Sequence, residues 1–160
     1  MIIILNGPMN SGKSTIAKLL VQKIPNTVNL EVDTVIQFLD HLETVDVEKI
    51  IWENVLALTQ NYIEHNLSVV ISYVFGEVKA TALIEKLKKI DSKVYLFTLN
   101  PDQKITLTNR GTREINDQEK ERINLHYSQG INTSINGTVL DNSNQTPSET
   151  LELILNQINR

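Results

Sequence analysis

The residues Gly7-Pro8-Met9-Asn10-Ser11-Gly12-Lys13-Ser14 satisfy the pattern G-x-x-x-x-G-K-[ST] in full. Each fixed position has a chemical reason. Gly7 lets the chain turn sharply, and Gly12 keeps side-chain atoms away from a bound phosphate. The amides from Asn10 through Ser11 and Gly12 to Ser14 can point into one concavity at a helix N-terminus, which favours anions. Lys13 is placed to reach β- and γ-phosphates as a flexible point charge. The Ser14 hydroxyl suits magnesium, and Thr15 can touch an α-phosphate. The stretch is therefore expected to hold a nucleoside triphosphate.

A second candidate is acidic. Asn29-Leu30-Glu31-Val32-Asp33 ends an apolar run in two carboxylates spaced by two. At the phosphate side of a parallel sheet, the Asp33 carboxylate could accept a proton from a substrate hydroxyl during phosphoryl transfer. The same aspartate would serve as the N-cap of a helix over Thr34 to Leu39. Glu31 would assist magnesium through water or simply be solvated.

A third is basic. Arg110 and Arg113 flank Gly111 in the stretch Leu107-Thr108-Asn109-Arg110-Gly111-Thr112-Arg113-Glu114. Two guanidiniums on a glycine hinge, with a lid around residues 108–120, would neutralise developing charge and exclude water. Basic residues at an ordinary helix end are the plainer alternative. Candidate liners of an acceptor pocket are Phe38, His41, Trp52, Tyr73 and Phe75. None of them specifies an acceptor.

These groups need a frame. Short apolar runs rich in β-branched residues occur at Ile2 to Leu5, Thr27 to Leu30, Ser68 to Val74, Lys93 to Leu99 and Thr138 to Leu140. They are continuous rather than alternating, as expected for strands buried on both faces. Helical periodicity separates them over Ser14 to Ile24, Val47 to His65, Val78 to Ile90 and Pro147 to Ile158. Thr146-Pro147-Ser148-Glu149 reads as a capping box with proline at the first helical position. Asn116-Asp117-Gln118-Glu119 is a similar box before a helix to about Gln129, and Asn100-Pro101-Asp102 opens a further helix. Strand and helix in alternation predict an α/β fold, a parallel sheet with helices on both faces.

The chain has 160 residues, which fits one domain over 1–160 with a single core. The formal net charge of -4 disfavours a dedicated nucleic-acid binder. Aromatic residues are 5% of the chain, which offers little for stacking on bases. With no cysteine, disulfides and thiolate metal sites are absent. His41, His65 and His126 have no zinc spacing. No apolar run is long enough to span a bilayer, and MIIIL is too short for a signal peptide, so the expected compartment is the cytoplasm.

A motor or switch protein adds an acidic magnesium residue at the end of a further strand. Here the run Val69-Val70-Ile71-Ser72 ends in serine, and no Asn-Lys-x-Asp guanine signature is present. The order of strand, phosphate loop, acid after the second strand and late R-x-x-R resembles the small P-loop kinases, such as shikimate kinase, gluconate kinase and chloramphenicol phosphotransferase-like proteins. The resemblance covers nearly the whole chain in element order, and its specific part is the phosphate loop. It implies a three-layer P-loop fold with strand order 2-3-1-4-5, and ATP with magnesium as donor. Carried over by position, Lys13 and Ser14 match the loop, Asp33 the acidic substrate residue and Arg110 the lid arginine; Arg113 is a weaker match. The Gly-Gly that shikimate kinase carries after its central strand is missing, with only Gly76 nearby, as is the Asp-Gly of nucleoside monophosphate kinases. The family's adenine pocket would fall on Asp141-Asn142-Ser143-Asn144-Gln145-Thr146.

The expectation is an ATP-dependent phosphotransferase acting on a hydroxyl of a small molecule, as monomer or homodimer, with neither membrane nor nucleic acid as partner. A nucleotide-binding ATPase or a polynucleotide 5′-end kinase is the alternative.

Overall fold

The computed structural model describes residues 1–39, 41–42, 46–109 and 114–159. Its elements run β1 (Ile2–Asn6), α1 (Lys13–Lys23), β2 (Thr27–Glu31), α2 (Val32–Gln37), α3 (Val47–Glu64) and β3 (Ser68–Ser72). They continue with α4 (Glu77–Leu87), β4 (Val94–Leu99), α5 (Gln103–Thr106), α6 (Asp117–Ser128), β5 (Thr138–Leu140) and α7 (Pro147–Ile158). The five strands form one parallel sheet in the order β2-β3-β1-β4-β5.

The unbroken apolar run of β1 has a simple cause. It is the central strand, with Ile2 opposite both Val69 and Val94. Successive side chains point to opposite faces. Ile2 and Ile4 enter one core with Val55, Ile71, Leu83 and Leu87, while Ile3 and Leu5 enter the other with Leu20, Phe97 and Ile154. Thus α1 and α7 cover one face of the sheet, and α2, α3 and α4 cover the other. Both faces being buried, no polar alternation is possible.

The caps fix where the helices start. The Thr146 hydroxyl accepts from the Glu149 amide, and the Glu149 carboxylate accepts from the Thr146 amide at 2.7 Å. Asn116 and Glu119 make the same reciprocal pair at α6. The Asp46 and Asp102 carboxylates cap α3 and α5.

Two boundaries differ from expectation in ways that move the site. β3 stops at Ser72 rather than Val74, so Tyr73 to Gly76 form a loop at the sheet's C-terminal edge. The helix after β2 begins at Val32 rather than Thr34. The earlier start turns both Val32 and Val35, one helical turn apart, into the core. Glu31, still extended, becomes the capping residue, and Asp33 lies in the first helical turn instead of capping it.

Candidate phosphate-binding and acceptor site

The parallel strands all end on one side, where α/β sheets hold ligands. There β1 gives way to the loop of residues 7–12. Gly7 has φ 137, and a Cβ built on it would strike the Leu99 carbonyl oxygen of neighbouring β4. Only glycine can turn off the strand at this point. Gly12 adopts φ 102 as α1 begins, and Asn10 holds φ 62 with a side chain that tolerates it.

The loop is tied down from several directions. Lys13 Nζ donates to the Gly7 carbonyl at 2.9 Å and to the Pro8 carbonyl at 2.7 Å. Asn10 Nδ2 donates to the carbonyls of Thr106 at 2.8 Å and Thr108 at 3.1 Å. The Met9 amide donates to His126 Nδ1 at 3.1 Å. Asn142, 4% exposed, donates through Nδ2 to the Ser11 carbonyl at 3.0 Å. Each partner comes from a different segment: α1, the end of α5, α6 and the loop after β5.

A cavity of about 620 Å³ opens beside this loop. Its wall includes Met9, Asn10, Gly12, Lys13, Ser14 and Thr15. Asp33 lines it from α2, and Asn142 and Gln145 line it from the loop after β5. The structure thus brings Asp33 and the phosphate-loop residues to one space. Gly7 and Ser11 do not line it; Ser11 is fully buried within the loop. Arg110 and Arg113 lie outside the described residues.

Glu31 is not among the residues that line the cavity. It accepts a hydrogen bond from Asn29 Nδ2 at 3.2 Å and sits beside Ser72 in the sheet register. The expected acceptor liners separate as well. Phe75 is 1% exposed and belongs to the core, whereas Phe38 is 67% exposed. Trp52, Tyr73 and Phe75 pack as one aromatic group, with Trp52 and Tyr73 edge to face at 5.6 Å. Burial pushes the Tyr73 phenol above its ordinary value, and the Asp33 and Glu48 carboxylates add to that while Lys79 and Arg122 oppose it. The half-buried Tyr73 therefore stands in the electrostatic field of Asp33.

Two polar residues carry weight that the sequence did not reveal. Asn6, 2% exposed, ends β1; its Oδ1 accepts from the Phe75 amide at 2.8 Å and its Nδ2 donates to the Phe75 carbonyl at 3.2 Å. It fixes the loop after β3 against the phosphate loop's root. His126 is the other. Burial lowers its imidazole below the ordinary histidine value, and the charges of Lys13 and Arg122 lower it further. No local signal marks either residue, because their partners are 69 and 117 positions away.

Ser14 offers a hard hydroxyl oxygen on the cavity wall, of the kind magnesium takes. No group of three His, Cys, Asp or Glu that could hold a metal occurs among the described residues. A magnesium ion here would take its other ligands from phosphate oxygens and water. Among the described residues no helix is long and apolar enough to cross a membrane.

No family model and no curated protein matches the chain. Solved structures do. The chain is similar to a tunicamycin resistance protein of Deinococcus radiodurans, with TM-score 0.68 and 21% identity over 98% of this chain and 94% of that one. It is similar to a sugar kinase of Janibacter sp. HTCC2649, with TM-score 0.72 and 14% identity over 99% and 94%. A shikimate kinase of Acinetobacter baumannii, solved with shikimate, gives TM-score 0.55 and 18% identity over 98% and 93%. At identities this low the likeness is one of architecture. Strand order, loop placement and these neighbours agree, and the chain has the fold of the small P-loop kinases.

Proposed function

We propose that this chain is an ATP-dependent phosphotransferase that moves the γ-phosphoryl group of ATP to a hydroxyl of a small molecule. The observation that carries the reading is that Lys13, Ser14, Thr15 and Asp33 line one cavity. Donor and acceptor chemistry then have a shared space.

In this reading the loop amides and Lys13 hold the triphosphate, and Lys13 exchanges the Gly7 and Pro8 carbonyls for phosphate oxygens. Ser14 Oγ would hold a magnesium ion carried in with the nucleotide, and that ion would supply charge neutralisation during transfer. Thr15 touches the α-phosphate. Asn142 and Gln145 border the base. The Asp33 carboxylate accepts the acceptor's hydroxyl proton as the new O–P bond forms and the bond to ADP breaks. Arg110 and Arg113 enter from the sequence alone, as neutralising charges over the phosphates. Exclusion of water from such a site favours transfer over hydrolysis.

The test is calorimetric and kinetic. ATP with magnesium is titrated into the protein and into Lys13→Ala, and ADP release is followed with a panel of sugars, alcohols, nucleosides and oligonucleotides. The reading expects binding that Lys13→Ala weakens and turnover that one class of small hydroxyl compound stimulates. Tight binding with turnover that no acceptor changes would instead indicate an ATPase. Stimulation by oligonucleotides alone would indicate a polynucleotide 5′-end kinase.

A further inference from the structure

The phosphate loop meets α6 at one polar contact. Met9 N lies 3.1 Å from His126 Nδ1, across 117 residues of sequence. An amide can only donate, so Nδ1 must present its lone pair, and the ring's single proton is on Nε2. The charged groups bearing on the ring are Lys13 of α1 and Arg122 of α6, both cations. A second proton on the ring would meet both of them and would break the contact.

The ring is also well placed to bear load. α6 is anchored by fully buried Ile123, by the Tyr127 hydroxyl donating to the Pro101 carbonyl, and by Gln103 Nε2 donating to Asn124 Oδ1 at 2.8 Å. Lys13 also holds this loop, through the carbonyls of Gly7 and Pro8. The loop is thus held by two groups, a cation that a triphosphate would attract away and an imidazole that it need not displace.

We propose that His126 is a positioning residue of the donor site, which holds the tip of the phosphate loop by accepting the Met9 amide hydrogen at Nδ1. This rests on the reading of the cavity as a triphosphate site. When Lys13 turns to the phosphates, the His126 contact remains to keep the Met9 peptide oriented, so that the following amides stay convergent. Asn at position 126 can place its Oδ1 where Nδ1 stands, whereas Leu fills the space without an acceptor.

Two measurements test this. Titration of ATP with magnesium should show His126→Leu weakened about tenfold, the scale of one hydrogen bond, with His126→Asn within about threefold of the original protein. Nitrogen-15 spectra of the histidine rings in the nucleotide-free protein should show Nδ1 of His126 unprotonated and Nε2 protonated at neutral pH. Equal affinity in all three proteins, equal weakening in both variants, or a protonated Nδ1 would overturn the proposal. A protein that binds no ATP would overturn the proposed function, and the ring spectrum, which needs no nucleotide, would still decide the contact.

Discussion

Asn10 and Thr106 stand 96 residues apart, and the Asn10 side-chain amide donates to the Thr106 carbonyl at 2.8 Å. The bond joins the phosphate loop to the C-terminal end of α5, and a second bond to the Thr108 carbonyl at 3.1 Å extends it. The loop is therefore built on the elements that flank it in space, not only on β1 and α1.

Replacing Asn10 by glycine keeps the backbone at φ 62 comfortable and removes both of these bonds. The variant should lose about 1–2 kcal/mol of stability, two partly exposed hydrogen bonds' worth. Urea unfolding checks it. An unchanged midpoint would mean that the tether carries no net energy.

Gly7→Ala faces a harder obstacle. Its Cβ would lie 2.9 Å from Ser11 Oγ and collide with the Leu99 carbonyl oxygen, at a φ that L side chains rarely adopt. Because the obstructing atoms include sheet backbone, relaxation is costly, and the loss should be about 2 kcal/mol or more. Thermal unfolding measures it directly. A variant as stable as the original, with nucleotide binding intact, would contradict the turn as described.

Lys13→Ala separates binding from folding. Lys13 is bonded to the carbonyls of the buried residues Gly7 and Pro8, so its loss should cost the fold about 1–3 kcal/mol, the scale of hydrogen bonds from a charged donor, and leave it folded. Affinity for ATP should fall about 10²-fold, since charge-assisted bonds to phosphate disappear. Equal affinity in the two proteins, by calorimetry, would remove Lys13 from the donor site.

His126 predicts a pH dependence of stability. Its folded value is held below 6.5 by burial first, then by Lys13 and Arg122. Between the folded and unfolded values the unfolded chain binds more protons, so stability rises with pH there. Stability should therefore decline as pH falls below about 6.5, the ordinary histidine value. His126→Asn should flatten that part of the profile. Denaturant unfolding from pH 7.5 to 5 provides the comparison, and parallel profiles for the two proteins would refute the assignment.

Much of the frame could be read in the residues, and the reasons are local. The apolar run of β1 follows from a strand between two cores, so its continuity marks a strand buried on both faces, and the alternation of strands with helices makes the sheet parallel. The capping boxes at Asn116 and Thr146 are closed within four residues, and they appear where the sequence places them. The start of α2 differs from the sequence expectation because Asp33 is a good cap, while the burial of Val32 and Val35 decides the register. The sequence leaves Phe75 as ready to pack as to wall a pocket, because a strand end does not reveal which face it packs; Asn6 draws its backbone inward. The His126 contact was beyond reach for a plainer reason. A single hydrogen bond across 117 residues leaves no periodicity, cap or motif behind.

Lys13 and Asp33 share one cavity, and the proposed function makes it the place where a phosphoryl group passes to an acceptor. The most direct test follows the γ-phosphate label of ATP, with the acceptor that best stimulates ADP release, in the original protein and in Asp33→Asn. Label should appear on the acceptor rather than in inorganic phosphate, with transfer reduced about 10²-fold in Asp33→Asn and ATP affinity nearly unchanged. Label released only as inorganic phosphate, or transfer undiminished in Asp33→Asn, would contradict it.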